Sequence, residues 1–235
     1  MADRFKGKVV LVAGGTGGLG RAVSLSFLKE GASVCVTYRT EEEFSTLKKS
    51  VAESASSLSG YAVDVTSDED VKQLVQKLGR VDVMINAVGA YAGGLALWQT
   101  PPEVFDRMIS LNVSSGYVLS RHVAPAMVSQ GGGAIVNVSS RAAVDHAAGA
   151  SAYAASKAAA LAMMDSLAAD LKGTAVRVNT VLPSIIDTPA NRAAMPGADY
   201  AKWPKPEEIA KVILFLSSDD ARLIHGAAVP VYGAS

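Results

Sequence analysis

The chain of 235 residues predicts a doubly wound α/β domain: one parallel sheet of about seven strands with helices on both faces. Three observations carry this. Short apolar, β-branched runs recur along the chain, and segments with helical patterning separate them, the βαβα alternation that a parallel sheet requires. The first run, Lys8-Val-Val-Leu-Val-Ala13, shows no polar alternation, as expected of a strand covered on both faces. It leads straight into Gly14-Gly-Thr-Gly-Gly-Leu-Gly20, a glycine-rich turn that opens a helix. No linker, repeat or low-complexity stretch breaks residues 1–235, which read as a single domain.

Bulk properties narrow the class. Apolar residues make up 49% of the chain and charged ones 19%, sufficient for a sizeable buried core. The 22 basic residues balance the 22 acidic ones, so no net field grips nucleic acid or an anionic membrane. No apolar run approaches the length of a membrane span or a signal peptide. Cys35 is the sole cysteine, which fits a reducing, cytoplasmic location, and it reads as a small buried hydrophobe. His122, His146 and His225 are too dispersed for a zinc site, and no metal is expected.

In chain order, the helix after the glycine turn spans about Gly18 to Glu30. Its N-terminal N–H groups and positive dipole end suit a pyrophosphate, and a side chain on the glycines would block that approach. Ser33–Tyr38 is the second strand, followed by Arg39. The residue ending this strand meets the adenosine ribose in dinucleotide folds: an acid binds the 2′-hydroxyl of NAD, an arginine accommodates the 2′-phosphate of NADP. Tyr38 and Arg39 therefore favour NADP(H), with NAD(H) as the alternative. Glu41, Glu42 and Glu43 would repel a phosphate if they faced it, but Thr40 with Glu43 reads as a capping box, where the helix dipole favours acids.

Leu58–Val63 is the third strand, ending in Asp64-Val65; Thr66 and Glu69 read as a second capping box, for a helix to about Leu78. Arg80–Ile85 is the fourth strand and runs into Asn86-Ala87-Val88-Gly89. Tyr91 to Gln99 is a loop with an exposed-looking Trp98. Thr100 is the expected N-cap of a long helix, with proline at its first position and Glu103 as capping glutamate, and Asn112 falls inside it. Ala134–Ser139 is a strand ending at Ser140. Ala152–Leu171 holds no proline or glycine and is rich in alanine, the best helix former. Tyr153 and Lys157 share a face of it, one turn apart. Leu161, Met164, Ala168 and Leu171 continue that stripe, which makes it the inward face. Ala175–Leu182 is the sixth strand and leads into Pro183–Thr188. Residues 189–206 read as an irregular loop carrying Met195, Tyr200 and Trp203, placed to serve as a substrate lid. Glu207–Ser217 is a last amphipathic helix and Ala227–Val231 the final strand.

Together these motifs resemble the short-chain dehydrogenase/reductase family. Gly14, Thr16, Gly17, Gly18, Leu19 and Gly20 stand in its T-G-x-x-x-G-x-G phosphate loop, with Ala13 replacing the usual threonine and losing a scaffolding hydroxyl. Asp64-Val65 matches the pair the family places at the adenine. Asn86-Ala87-Val88-Gly89 resembles N-N-A-G; the resemblance implies that Asn86 stabilises the sheet and Gly89 clears room for the cofactor. Asn112 matches an asparagine that kinks its helix and holds a water between the active-site lysine and solvent, although a buried asparagine can also simply satisfy backbone groups. Ser140…Tyr153-x-x-x-Lys157 matches the active site. Ser139 is the competing hydroxyl, placed on the opposite face by strand alternation, and the spacing favours Ser140. Pro183-Ser-Ile-Ile-Asp-Thr188 resembles P-G-x-I-x-T, which would set Pro183, Ile186 and Thr188 at the nicotinamide. Ser184 replaces the glycine there, so the turn must avoid positive φ or carry strain.

The resemblance implies a Rossmann-type fold and an NADP(H)-dependent oxidoreductase acting on a small-molecule carbonyl or alcohol. It also implies a homodimer or homotetramer paired through the Asn112 and Tyr153 helices. Asp187–Trp203 looks like the corresponding stretch of dihydropteridine reductases, which generally use NADH and lack the active-site serine; Ser140 and Arg39 favour a carbonyl reductase, 3-oxoacyl-thioester reductases included. A dinucleotide sensor without turnover is the competing class. Such proteins typically lose the tyrosine or the lysine, and both are present here.

Ketone reduction needs a hydride on carbon and a proton on oxygen. A tyrosine with a pKa of about 10 exchanges protons poorly near neutrality; lysine and the oxidised nicotinamide are both cationic, and nearby positive charge favours its ionised form. A lysine ~4 Å away at an effective dielectric of ~20 contributes about 4 kcal/mol, roughly three pKa units. Lys157 is thus expected to lower Tyr153 and to hold the nicotinamide ribose, and Ser140 to donate to the substrate oxygen.

Overall fold

The computed structural model describes residues 3–51 and 57–234. Seven strands, β1 (Val9–Ala13), β2 (Ser33–Tyr38), β3 (Leu58–Ala62), β4 (Val83–Asn86), β5 (Gly133–Val138), β6 (Val176–Pro183) and β7 (Ala228–Val231), form one parallel sheet. Their order is β3-β2-β1-β4-β5-β6-β7. The winding reverses between β1 and β4, where such sheets open a crevice beyond the carboxyl ends of their strands.

Strand alternation explains the two cores. Val10 and Val12 of β1, with Val34, Val36, Ile85 and Val136, pack against α1 (Gly18–Lys29) and α8 (Pro206–Ser217). Leu11 and Ala13 face the other way with Cys35, Met84 and Ile135, against α3 (Asp68–Leu78), α5 (Ser115–Ser129) and α6 (Ser151–Asp170). Each fully buried side chain such as Phe27 or Leu11 contributes about 1.5–3 kcal/mol of apolar burial. Burial pushes the Cys35 thiol up to about 12, so it packs as a hydrophobe and is no nucleophile. Among the described residues no helix is long and apolar enough to cross a membrane.

Several helix starts differ from the sequence reading. Thr40 does cap α2 (Glu41–Lys49), its hydroxyl accepting from Glu43 N at 3.4 Å. For α3 the cap is Ser67, accepting from Asp70 N at 3.3 Å, and not Thr66. The Thr66 hydroxyl instead donates to the Asp64 carboxylate at 2.7 Å, a charged acceptor that outcompetes a helix end. The long helix expected from Thr100 is three pieces: α4 (Pro102–Ile109), a π turn over Ser110–Ser114, and α5. Pro101 occupies the N-cap, and the Thr100 hydroxyl donates back to Ala96 O at 3.1 Å. Residues 189–206 are not irregular throughout. Thr188 caps a short α7 (Pro189–Ala194), a 3₁₀ turn covers Tyr200–Lys202, and Trp203 is buried against Tyr200. Ser184 stays out of positive φ and its hydroxyl donates to Tyr232 O at 2.7 Å, so the missing glycine leaves no backbone strain.

Asp82 ties β1 to the start of β4. Its buried carboxylate accepts from Val9 N at 2.9 Å and from Arg80 Nη2 at 2.6 Å. Burial alone would raise this group, but the bonds from Arg80 and Val9 and the charges of Arg80 and Lys8 hold it below its ordinary value. A depressed carboxylate stabilises the fold above the unfolded value of about 3.9, and the gain is lost as pH falls through the folded value. Asp82→Asn is therefore expected to lose about 1–3 kcal/mol in urea unfolding at pH 7. The gap to the native chain should close below about pH 4.

Candidate active site

The glycine loop begins where β1 ends. Gly14 takes φ +71°, a left-handed conformation that penalises a Cβ. Its N–H donates to Thr37 Oγ1 at 3.0 Å, so β2 supplies the hydroxyl that Ala13 lacks. A Cβ on Gly20 would meet Gly14 O at 2.0 Å, and one on Gly18 would meet the Thr188 methyl at 2.9 Å. Gly20 thus seats α1 on the loop, and Gly18 seats the loop against the segment after β6. Helix α1 starts at Gly17 with no side-chain cap and no acid in its first turn, whereas α2 and α3 each have a hydroxyl cap and three acids. Its first N–H groups are left for a ligand.

A cleft of about 650 Å³ opens beyond the carboxyl ends of β1, β2 and β4, within the range for small-molecule and cofactor sites. Of the residues expected at a dinucleotide, Gly14, Thr16, Gly17, Tyr38, Arg39, Asp64, Val65, Ala87, Val88 and Gly89 line it. The Leu19 side chain lies in the core, which leaves only its backbone for a ligand. Asn86, Tyr153, Lys157, Pro183, Ile186 and Thr188 lie outside this lining; Thr188 meets the loop through its methyl at Gly18. Thr37, Ala62, Val63, Thr66, Ala90 and Leu111 line it as well, outside the expected set, and so does Glu43, which the capping-box reading turns away from it. An uncapped helix end behind a glycine wall, with an arginine just after β2, fits a nicotinamide dinucleotide.

Where β2 ends, the Tyr38 ring stacks on Phe44, centroids 5.0 Å apart, and its hydroxyl donates to Glu41 at 2.6 Å. The bond to Glu41 holds the Tyr38 phenol above its ordinary value. Arg39 is exposed and makes no ion pair among the described residues. Only half of the expected capping box forms: the Glu43 carboxylate turns away from the helix end and accepts from Thr16 Oγ1 at 3.0 Å, inside the cleft. The Asp64 carboxylate is held below its ordinary value by the Thr66 hydroxyl and N–H.

At the other end Asn86 donates to Asn137 Oδ1 at 3.0 Å across β4 and β5 and accepts from Val88 N, which makes it a sheet residue. Gly89 is bare for a further reason besides the cleft: a Cβ there would lie 2.9 Å from Asn112 Oδ1 and 3.0 Å from Lys157 Nζ. Asn112 sits in the π turn. Its amide accepts from Ala90 N at 2.9 Å and donates to Ala90 O at 3.0 Å and to Ser156 Oγ at 2.9 Å, satisfying backbone groups.

Tyr153, half-buried on α6, shares a hydrogen bond with Ser140. Ser139 points inward, and its hydroxyl donates to Lys157 O at 3.0 Å, so Ser140 alone of the pair faces the tyrosine. Lys157 is buried, with Nζ 6.0 Å from the Tyr153 ring centroid, and donates to Val138 O at 3.3 Å. The expected lowering of Tyr153 by the lysine is not what the structure gives. Burial pushes the phenol above its ordinary value, Ser140 pulls it down, and the Tyr91 ring, edge-on at 5.0 Å, adds to the rise. Burial instead lowers Lys157 to about 8. The inward stripe of α6 runs Lys157, Ala160, Met164, Ala168; Leu161 is only half-buried.

The family model for short chain dehydrogenases matches residues 8–198. The chain belongs to that family. This short-chain dehydrogenase is 34% identical to the 3-oxoacyl-acyl-carrier-protein reductase of Thermotoga maritima, over 98% of each chain. It is 30% identical to the 7alpha-hydroxysteroid dehydrogenase of Escherichia coli, over 98% of this chain and 94% of that one. The solved structure described as ElxO with NADP bound superposes at a TM-score of 0.90, with 27% identity over 96% and 97% of the two chains. The protein is thus an NAD(P)-dependent oxidoreductase of the short-chain dehydrogenase type.

The buried ammonium carries a stability signature. Its folded pKa, about 8, lies below the unfolded value of about 10.4, so the unfolded chain binds the extra proton between the two and stability rises with pH across that window. Lys157→Met should melt at a higher temperature than the native chain at pH 7, with the margin shrinking as pH rises above 8. Circular-dichroism melts at several pH values measure this; a margin independent of pH would show that the charge is not the cause.

Proposed function

We propose that this short-chain dehydrogenase moves a hydride between NADP(H) and a small carbonyl or alcohol, with Tyr153 as general acid and base. One observation carries the reading: the Tyr153 hydroxyl meets Ser140 beside a buried Lys157, at the carboxyl edge of the sheet that also holds the glycine-walled cleft. When bound, the nicotinamide supplies or accepts the hydride at the substrate carbon. Tyr153 gives its phenolic proton to the carbonyl oxygen, and the Ser140 hydroxyl donates a hydrogen bond to that oxygen as charge develops on it. The Lys157 ammonium, close to the ring and shielded from water, favours the tyrosinate left behind. Lys157 also holds the ribose hydroxyls, and Asn112 positions Ala90 and Ser156 around it. In this reading Pro183, Ile186 and Thr188 bound the nicotinamide, and Asp64 and Val65 the adenine.

Arg39, free of ion pairs among the described residues, supports NADP(H) over NAD(H). The 3-oxoacyl and hydroxysteroid substrates in the relatives' names support a carbonyl or alcohol substrate, and Ser140 beside Tyr153 favours it over a dihydropterin. Having Tyr153 and Lys157 together weighs against a sensor without turnover. The whole chain acts as one domain in the reducing cytoplasm, and the exposed Ala155, Ala162, Ser166 and Ala169 of α6 support pairing into a homodimer or homotetramer.

With a panel of ketones and NADPH, Tyr153→Phe is expected to lower kcat by at least ~10²-fold. NADPH should still enhance its own fluorescence on binding; near-native turnover in that variant would remove Tyr153 from the chemistry. Arg39→Asp should move the ratio of NADPH to NADH affinity toward NADH by about tenfold, the effect of losing one favourable charge contact of about 1.4 kcal/mol. An unchanged ratio would take Arg39 out of the ribose site.

A further inference from the structure

We propose that Glu43 sets the balance between the two dinucleotides: bound to the phosphate loop through Thr16, its carboxylate opposes the 2′-phosphate that Arg39 attracts, so that NAD(H) is accepted alongside NADP(H). This rests on the dinucleotide reading of the cleft given above.

The placement of Glu43 carries the inference. It occupies the third position of α2, where a glutamate ordinarily reaches back to the N-cap backbone. Here it turns to Thr16 Oγ1 at 3.0 Å, next to Gly17, which opens α1. Glu43 makes no ion pair among the described residues, and the Thr16 hydroxyl is its hydrogen-bond partner. Its neighbour Glu41 is taken up by the Tyr38 hydroxyl, and Glu42 is exposed, which leaves Glu43 as the acid of this turn that lines the cleft.

The charges of the cleft wall sharpen the point. Among its lining residues Arg39 is the only cation, against the carboxylates of Glu43 and Asp64. A wall with that balance gains one contact and meets one repulsion when a phosphate monoester of about −1.5 to −2 charge arrives at the ribose. A ribose 2′-hydroxyl adds no charge and can donate to the carboxylate, the interaction by which an acid selects NAD. In this chain the strand-end position for that acid is held by Tyr38, whose ring is stacked on Phe44. The carboxylate comes instead from the helix that follows.

Fluorescence titration of the native chain, Glu43→Gln and Thr16→Val with NADPH and with NADH tests this. Glu43→Gln keeps the hydrogen-bond acceptor and removes the charge. It should tighten NADPH about tenfold and change NADH by less than about twofold, the size of one close charge contact. Thr16→Val, which releases the carboxylate from the loop without removing it, should shift the ratio the same way by less. If circular dichroism shows that Glu43→Gln does not fold, Glu43→Ala reads the same ratio. An unchanged ratio of NADPH to NADH affinity in the folded variants overturns the proposal. A native chain that binds neither dinucleotide fails the underlying reading, an outcome seen in the native titrations alone.

Discussion

Lys157 is the constraint around which the site is arranged. The ammonium of a lysine only 5% exposed must be given a partner or lose its proton. Val138 O supplies the partner at 3.3 Å, and burial brings the lysine to about 8 where an exposed one would remain above 10. The surrounding chain accommodates this at several points. Gly89 carries no side chain because Nζ and the Asn112 amide oxygen fill that space. Ser139 fastens the lysine's own carbonyl to the end of β5. Asn112 clamps Ala90 to Ser156, one residue before the lysine. The ends of β4 and β5, the π turn and α6 all converge on this one cation. The phenol beside it is raised by burial in turn, so either charge alone is costly in this corner and the two together are less so.

The π turn shows how such a clamp is made. A regular helix from residue 102 to 129 would use its interior backbone donors internally, past the first turn and apart from Pro125. Widening one turn at Ser110–Ser114 lets Asn112 face inward, where its amide answers both backbone groups of Ala90. Turns of this kind concentrate at functional sites because they cost helix bonding that packing alone would not give up.

What could be read from the residues divides along physical lines. The strands, the glycine loop and the i, i+4 pair Tyr153 and Lys157 were legible because each depends on local chemistry: apolar runs, absent side chains, helical spacing. The parallel, doubly wound sheet followed from their alternation and the family from the resemblance of the spaced motifs, whereas the strand order came only from the structure. The helix starts were less legible, because the expected capping groups found other partners: the Thr66 hydroxyl went to Asp64, two residues back, and the Glu43 carboxylate to the Thr16 hydroxyl, which only folding brings near. The sign of the Tyr153 shift was misread for a similar reason. A distance between two charges can be guessed from helix spacing, but the water each group loses depends on what packs over it, here Tyr91 and the loop that carries it.

Departures from a sequence pattern along one strand are offset by groups from the next. Ala13 lacks a hydroxyl, and Thr37 of β2 offers one to the same loop. Ser184 lacks glycine's freedom, and its turn holds ordinary φ with its hydroxyl on Tyr232, beyond the end of β7. Tyr38 lacks a carboxylate, and Glu43 of α2 brings one into the same cleft. In the first two cases the offsetting atom is remote in sequence and adjacent in space, because parallel strands end level with one another and their loops share one edge; in the third it comes from the helix that follows, five residues on. A motif judged residue by residue along the chain therefore understates the site; the unit on which its chemistry depends is the row of strand ends.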